Sequence, residues 1–121
     1  MRRLRLLALP ALAIMFGAAT ACAPAVTPVE VTEETTVVDV RTPEEYAGGH
    51  LDGAVNIDVS AADFTAELAE LDPSAEYVVY CQSGNRSSRA VAQMEQGGFT
   101  SVHDAGGISD AAAATGLTVV G

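Results

Sequence analysis

The chain has 121 residues and a formal net charge of −10, with sixteen acids against six arginines and no lysine. That length allows one domain. So acidic a balance argues against nucleic-acid binding, which needs a positive footprint. It also argues against electrostatic adsorption to anionic lipid.

The N-terminus reads MRRLRLLALPALAIMFGAATAC. Arg2, Arg3 and Arg5 precede an apolar run from Leu6 to about Ala19, closed by small residues. This is the three-part pattern of a secretory signal over residues 1–21. The run is shorter than the ~18–20 residues that span a bilayer comfortably, which disfavours an uncleaved anchor. Ala19-Thr20-Ala21-Cys22 resembles the lipobox of bacterial lipoproteins, with Ala19 where leucine is usual. The resemblance implies lipidation of Cys22 and an anchored protein on the extracytoplasmic side of the membrane. Ala19-Thr20-Ala21 also fits an ordinary small-x-small cleavage site, which would leave a periplasmic or secreted chain.

Removal of residues 1–21 leaves Arg41, Arg86 and Arg89 against all sixteen acids, a net charge of −13. Any membrane association would then come through a lipid on Cys22. If Cys22 is lipidated, Cys81 has no intramolecular partner, and a lone thiol in an exported protein is a candidate reactive group. A Cys22–Cys81 disulfide in a non-lipidated form is the alternative. Residues 22–28, with Pro24 and Pro28, read as the modified cysteine and a short extended tether.

Beyond the tether, strand and helix signals alternate. Val29–Thr32 is a candidate edge strand, and Val37–Val40 is a β-branched run suited to a buried strand. Thr42 can cap a short helix over Pro43–Ala47, with proline at its first position and acids in its first turn. Gly48-Gly49 ends that helix, and Ala54–Ile57 is a short strand. Ser60 is placed to cap an amphipathic helix carrying Phe64, Leu68 and Leu71, with Pro73 beyond its end. Tyr77–Tyr80 is a third strand. Ser87–Gln96 is helical and stops at Gly97-Gly98. Ser101–His103 is a short strand, followed by Gly106-Gly107 and an alanine-rich helix over Ile108–Thr115. The alternation predicts an α/β fold with a mostly parallel sheet covered on both faces. Ligands bind such sheets beyond the carboxyl ends of the strands.

Cys81 sits at that place, between a strand and a helix, in the stretch YCQSGNRSSR. A thiol is a poor nucleophile until it ionises. The unpaired N–H groups and partial positive charge of a helix N-terminus favour its thiolate. Ser83 and Gly84 are small enough to let successive N–H groups turn inward as an anion nest. Gly84 takes a positive φ at little cost. Arg86 and Arg89 add positive charge in a chain that otherwise has almost none.

Together with VVDVRTPEEYAGGHLDGAVNID upstream, this stretch resembles the single-domain rhodanese-like sulfurtransferases. The similarity runs from about Val37 to Gly107. It rests on Asp39-Val40-Arg41 with Glu45, on Gly49–Ile57, and on the six-residue loop Cys81–Arg86. The resemblance implies a three-layer α/β/α domain over residues 29–121, with roughly five strands in a mostly parallel sheet. It implies that Cys81 carries sulfane sulfur as a persulfide, taken from a donor such as thiosulfate. A thiol, cyanide or a protein acceptor then removes it, in ping-pong fashion. Gln82, Ser83, Gly84, Asn85 and Arg86 would hold the donor and the persulfide anion, and no cofactor or metal is implied. Asp39, Arg41, Glu45 and His50 are implied to be architectural, with Arg41 paired to Glu45 or Asp39. Two positions depart from the family pattern. Asp52 stands where proline is usual, and Gly106-Gly107 is followed by Ile108-Ser109-Asp110-Ala111 rather than an aromatic.

Each feature also has a plainer reading. Cys81 could be a buried structural thiol, Arg86 a solvated charge at a helix start, and Arg89 surface. His50 and His103 lack metal-ligand spacing to a second donor. A phosphatase or arsenate reductase needs five residues between cysteine and arginine; four separate Cys81 from Arg86, and the smaller ring suits sulfur. A non-catalytic persulfide carrier or sensor is the remaining alternative.

Overall fold

The structure is a computed structural model and describes residues 26–121; the signal segment expected over residues 1–21 and the expected lipidation site Cys22 lie outside the described residues. The elements in chain order are β1 (Thr35–Asp39), α1 (Pro43–Ala47), β2 (His50–Leu51), β3 (Val55–Asn56) and α2 (Phe64–Ala69). Then come β4 (Glu76–Cys81), α3 (Asn85–Gln96), β5 (Ser101–Gly107), α4 (Ile108–Thr115) and β6 (Val119–Val120). β3, β1, β4 and β5 form one parallel sheet in that order, and β2 pairs antiparallel with β6.

Side chains on a strand alternate between the two faces of its sheet, so one strand serves two cores. Tyr77, Val79 and Cys81 of β4 pack on one face with Phe64 and Leu68 of α2 and Ala90 and Met94 of α3. Val78 and Tyr80 turn to the other face, against Ala111 of α4 and the partly buried Tyr46 of α1. β4 is apolar on both sides because both sides are covered. The expected three layers follow.

The main sheet has four strands, not about five. Val29–Thr32 does not pair as a strand: the Val29 N–H donates to the Ala114 carbonyl at 2.9 Å and docks the segment on the end of α4. Ser60 does not cap α2. Its N–H donates to Asp58 Oδ1 at 2.8 Å in a local turn, and α2 begins later, after Asp63. α3 begins at Asn85 rather than Ser87, so the loop ends directly on a helix start. Thr42 does cap α1, in a full capping box with Glu45. β5 is longer than expected and runs to Gly107, with a register shift opposite Val79 and Tyr80 that sets Gly107 beside Cys81. Among the described residues no helix is long and apolar enough to cross a membrane.

Candidate active site

Cys81 is the last residue of β4, and its residue is fully buried. Among the described residues it is the one free cysteine. The chain turns at once through Gln82, Ser83 and Gly84 into α3. Gly84 makes the turn at φ +104°, a left-handed conformation that side-chain-bearing residues rarely adopt. The turn folds the Gly84 N–H back onto Cys81 Sγ at 2.9 Å. Ser87, also fully buried, brings its Oγ to 3.5 Å from the same sulfur. Burial pushes the thiol up, but the Ser87 hydroxyl and the N–H groups of Ser87, Gly84 and Ser83 outweigh it. The net result is a thiol below its ordinary value.

The end of β5 forms the floor of the loop. A Cβ on Gly107 would stand 2.7 Å from the Gln82 carbonyl oxygen and 3.3 Å from Ser83 Cα. Only a glycine lets the strand lie this close to the loop backbone.

A buried network braces the loop from the other face of the sheet. Arg41 Nε donates to both oxygens of Asp39 at 3.0 Å, and Nη2 donates to Asp39 Oδ2 at 2.6 Å. Both residues are buried, at 4% and 0% exposure, so the charges are tolerated because they are paired and hydrogen-bonded. Tyr80 Oη donates to Asp39 Oδ2 at 2.8 Å and accepts from the Leu51 N–H at 2.9 Å. Burial pushes the Tyr80 phenol well up, which keeps it a neutral donor. Arg41 spends its remaining donors outward: Nη1 to Gln82 Oε1 at 2.9 Å and Nη2 to the Gly49 carbonyl at 2.6 Å. Asn56 Nδ2 ties the carbonyls of Asp39 and Arg41 at 3.0 and 2.9 Å. The strand end, the loop and the Gly49 segment are thus held by one guanidinium.

Of the two partners open to Arg41, Asp39 takes it. Glu45 instead pairs with Arg86, through Nη1–Oε1 at 2.6 Å and Nη2–Oε2 at 2.9 Å. The Arg86 guanidinium holds the Glu45 carboxyl down at about 2. Arg86 is therefore tied to α1 rather than left as a free charge, although it stays partly exposed. Two of the three arginines carry acidic partners, and Arg89 is exposed without an ion pair among the described residues. The groups that meet the sulfur are loop N–H groups and the Ser87 hydroxyl rather than an arginine. His50 stacks on Tyr46 with ring centroids 3.8 Å apart, and its Nδ1 lies 2.9 Å from the Tyr46 carbonyl oxygen. Gln82, Ser83 and Asn85 are exposed at the loop surface. No group of three or more potential metal-ligating side chains occurs among the described residues.

Ser87, Tyr80 and Asn56 were not among the sequence-derived candidates. Ser87 had a usable signal, since it follows the loop directly and falls in the first turn of a helix. Asn56 had one too, as part of the matched Gly49–Ile57 segment; Tyr80 had none, because its partner Asp39 lies 41 residues away in the chain.

The rhodanese-like domain family matches residues 29–114. The chain belongs to that family. It is 36% identical over 75 residues to thiosulfate sulfurtransferase PspE of Escherichia coli, covering 62% of this chain and 72% of PspE. It is 46% identical over 72 residues to thiosulfate sulfurtransferase GlpE of Pseudomonas aeruginosa, covering 59% of this chain and 63% of GlpE. The alignment thus spans less than two thirds of GlpE. A solved rhodanese from E. coli superposes with a TM-score of 0.60 at 31% identity, over 71% of this chain and 96% of that one. A rhodanese-related protein of Thermoplasma volcanium gives 0.58 at 29% identity, over 78% and 97%. The matched span of this rhodanese-like domain includes β1 through most of α4, and so every residue of the site described above.

Proposed function

We propose that the protein is a sulfurtransferase that carries sulfane sulfur on Cys81. The observation that carries this reading is the Gly84 N–H, 2.9 Å from Cys81 Sγ, inside a six-residue loop that opens a helix. In the first half-reaction the Cys81 thiolate attacks the outer sulfur of thiosulfate. A new S–S bond forms, the sulfur–sulfur bond of thiosulfate breaks, and sulfite leaves with the electron pair. The loop N–H groups of Gln82 to Arg86 hold the negative terminal sulfur. In the second half-reaction cyanide or a thiolate takes that sulfur, and the bonding pair returns to Cys81. Glu45 and Arg41 act as braces, on Arg86 and on Gln82. The names of PspE and GlpE support thiosulfate as donor, with a thiol or a cyanide-like nucleophile as acceptor.

Purified reduced protein given thiosulfate and cyanide is expected to release thiocyanate, and Cys81→Ser to abolish it. Donor-treated protein is expected to gain one sulfur atom by mass. Absence of both turnover and added sulfur overturns the reading. We further propose that residues 1–21 direct export and that Cys22 receives lipid. Mass spectrometry of protein expressed with its leader tests this, and a mature N-terminus without lipid rejects the anchor.

A further inference from the structure

Ser87 lies in the first turn of α3, fully buried, and nothing in the sulfur-transfer scheme above gives it a part. Its Oγ is 3.0 Å from the Gly84 carbonyl oxygen and 3.5 Å from Cys81 Sγ. A hydroxyl has one proton and can donate to one of these acceptors at a time. While Cys81 is a thiol, its S–H can donate to Ser87 Oγ, and the hydroxyl donates onward to the carbonyl. Once Cys81 is a thiolate, the sulfur has no proton to give and becomes an acceptor. The Gly84 carbonyl does not depend on Ser87, because the Ser88 N–H also donates to it at 3.2 Å. The hydroxyl can therefore turn from carbonyl to sulfur and leave no buried group unpaired.

We propose that the Ser87 hydroxyl serves the inner sulfur of the reaction: it donates to the free Cys81 thiolate and turns back to the Gly84 carbonyl when Cys81 carries a second sulfur. The inference rests on the sulfur-transfer reading and assigns a residue to one half of it. The movement of charge is the reason. When sulfite leaves, the negative charge sits on the terminal sulfur, and Sγ becomes a neutral, weakly accepting sulfur between two bonds. When an acceptor removes the terminal sulfur, the S–S bonding pair returns to Sγ and the charge re-forms within reach of Ser87. A charge-assisted hydrogen bond is about twice as strong as a neutral one. Ser87 thus stabilises the free thiolate more than the persulfide. It makes Cys81 the better leaving group in discharge and gives loading no comparable help once the thiolate is formed.

The test is made on the full chain. Thiolate absorbance is titrated against pH for wild type and Ser87→Ala, each corrected by the same protein carrying Cys81→Ala. Ser87→Ala is expected to raise the midpoint by about one pH unit, a tenfold loss of thiolate below it. Above both midpoints, single-turnover discharge of the persulfide to cyanide is expected to slow about tenfold, while loading by thiosulfate is not slowed. Ser87→Thr is expected to restore both values, since a threonine hydroxyl can make the same bond back along a helix. A folded Ser87→Ala protein with an unmoved midpoint, or with loading and discharge slowed equally, overturns the proposal. So does a wild-type midpoint at or above the ~8.5 of an ordinary cysteine, which needs no variant. If wild type releases no thiocyanate, the sulfur-transfer reading falls, and the titration still decides whether Ser87 stabilises the thiolate.

Discussion

The two ends of the central sheet handle charge in opposite ways. At the carboxyl ends of β1 and β4, the acids Asp39 and Glu45 are both matched to arginines, and Asp39 is fully buried. At the amino ends, Glu30, Glu34 and Glu76 line an open cavity with Thr32, Thr35 and Ser101, and no arginine lies among its lining residues. The nearest thing to a partner for Glu76 is the Thr35 hydroxyl at 3.4 Å. One sheet therefore separates an end with two ion-paired acids beside Cys81 from an end whose acids have no arginine among their neighbours.

That contrast predicts unequal responses to mutation. The largest is at the buried pair. Arg41→Ala would strand the Asp39 carboxylate and release Gln82 and Gly49 together, for a loss of about 3–5 kcal/mol in denaturant unfolding. A loss no greater than that of a surface arginine would show that the pair is not the brace of the loop.

Next come two glycines at opposite ends of the sheet. Gly107→Ala drives a methyl into the Gln82 carbonyl region, so overpacking of about 1–3 kcal/mol and a displaced loop are expected. Thiocyanate formation should fall more than stability does. Gly98 has φ +94° and open space around its Cβ position. Gly98→Ala should cost about 1 kcal/mol through its backbone alone and leave turnover unchanged. Equal effects on turnover would erase the distinction between the two ends.

The pH response is smaller. Arg86 depresses the Glu45 carboxyl, so the pair stabilises the fold fully above the unfolded glutamate value of ~4.3. The contribution is lost as pH falls toward about 2, where the folded carboxyl takes up its proton. Thermal melts between pH 5 and 2 should therefore fall more steeply for wild type than for Glu45→Gln. Because both partners are partly solvated, the difference should be modest. Smallest of all, Glu30→Gln, Glu34→Gln or Glu76→Gln should each change stability by less than ~0.5 kcal/mol and leave turnover alone. A clear effect on turnover from the acidic end would break the comparison.

Much of the site was readable from local pattern. Strand β4, the glycine at the turn and the helix behind Cys81 are neighbours in the chain, and local preferences placed them. The Thr42–Glu45 capping box was legible for the same reason. Two features were not. The choice of Asp39 over Glu45 by Arg41 depends on how the strand end is buried, and either acid was within reach by sequence. β2 and β6 were missed because each is two residues long and gains its partner across most of the domain. The fifth strand expected at Val29–Thr32 failed because α4 offers that segment a better place for Val29 than a sheet edge does.

By itself the sequence determined an α/β order of elements, a cysteine at a strand–helix junction, and a loop with four residues between that cysteine and its arginine. Those follow from periodicity, turn chemistry and spacing, which act over a few residues. Only the tertiary structure decided that Arg86 is held by Glu45, that Gly107 floors the loop, and that Ser87 reaches the sulfur. These are contacts between surfaces brought together by packing, and their distances are set by how closely β5, α1 and α3 approach β4.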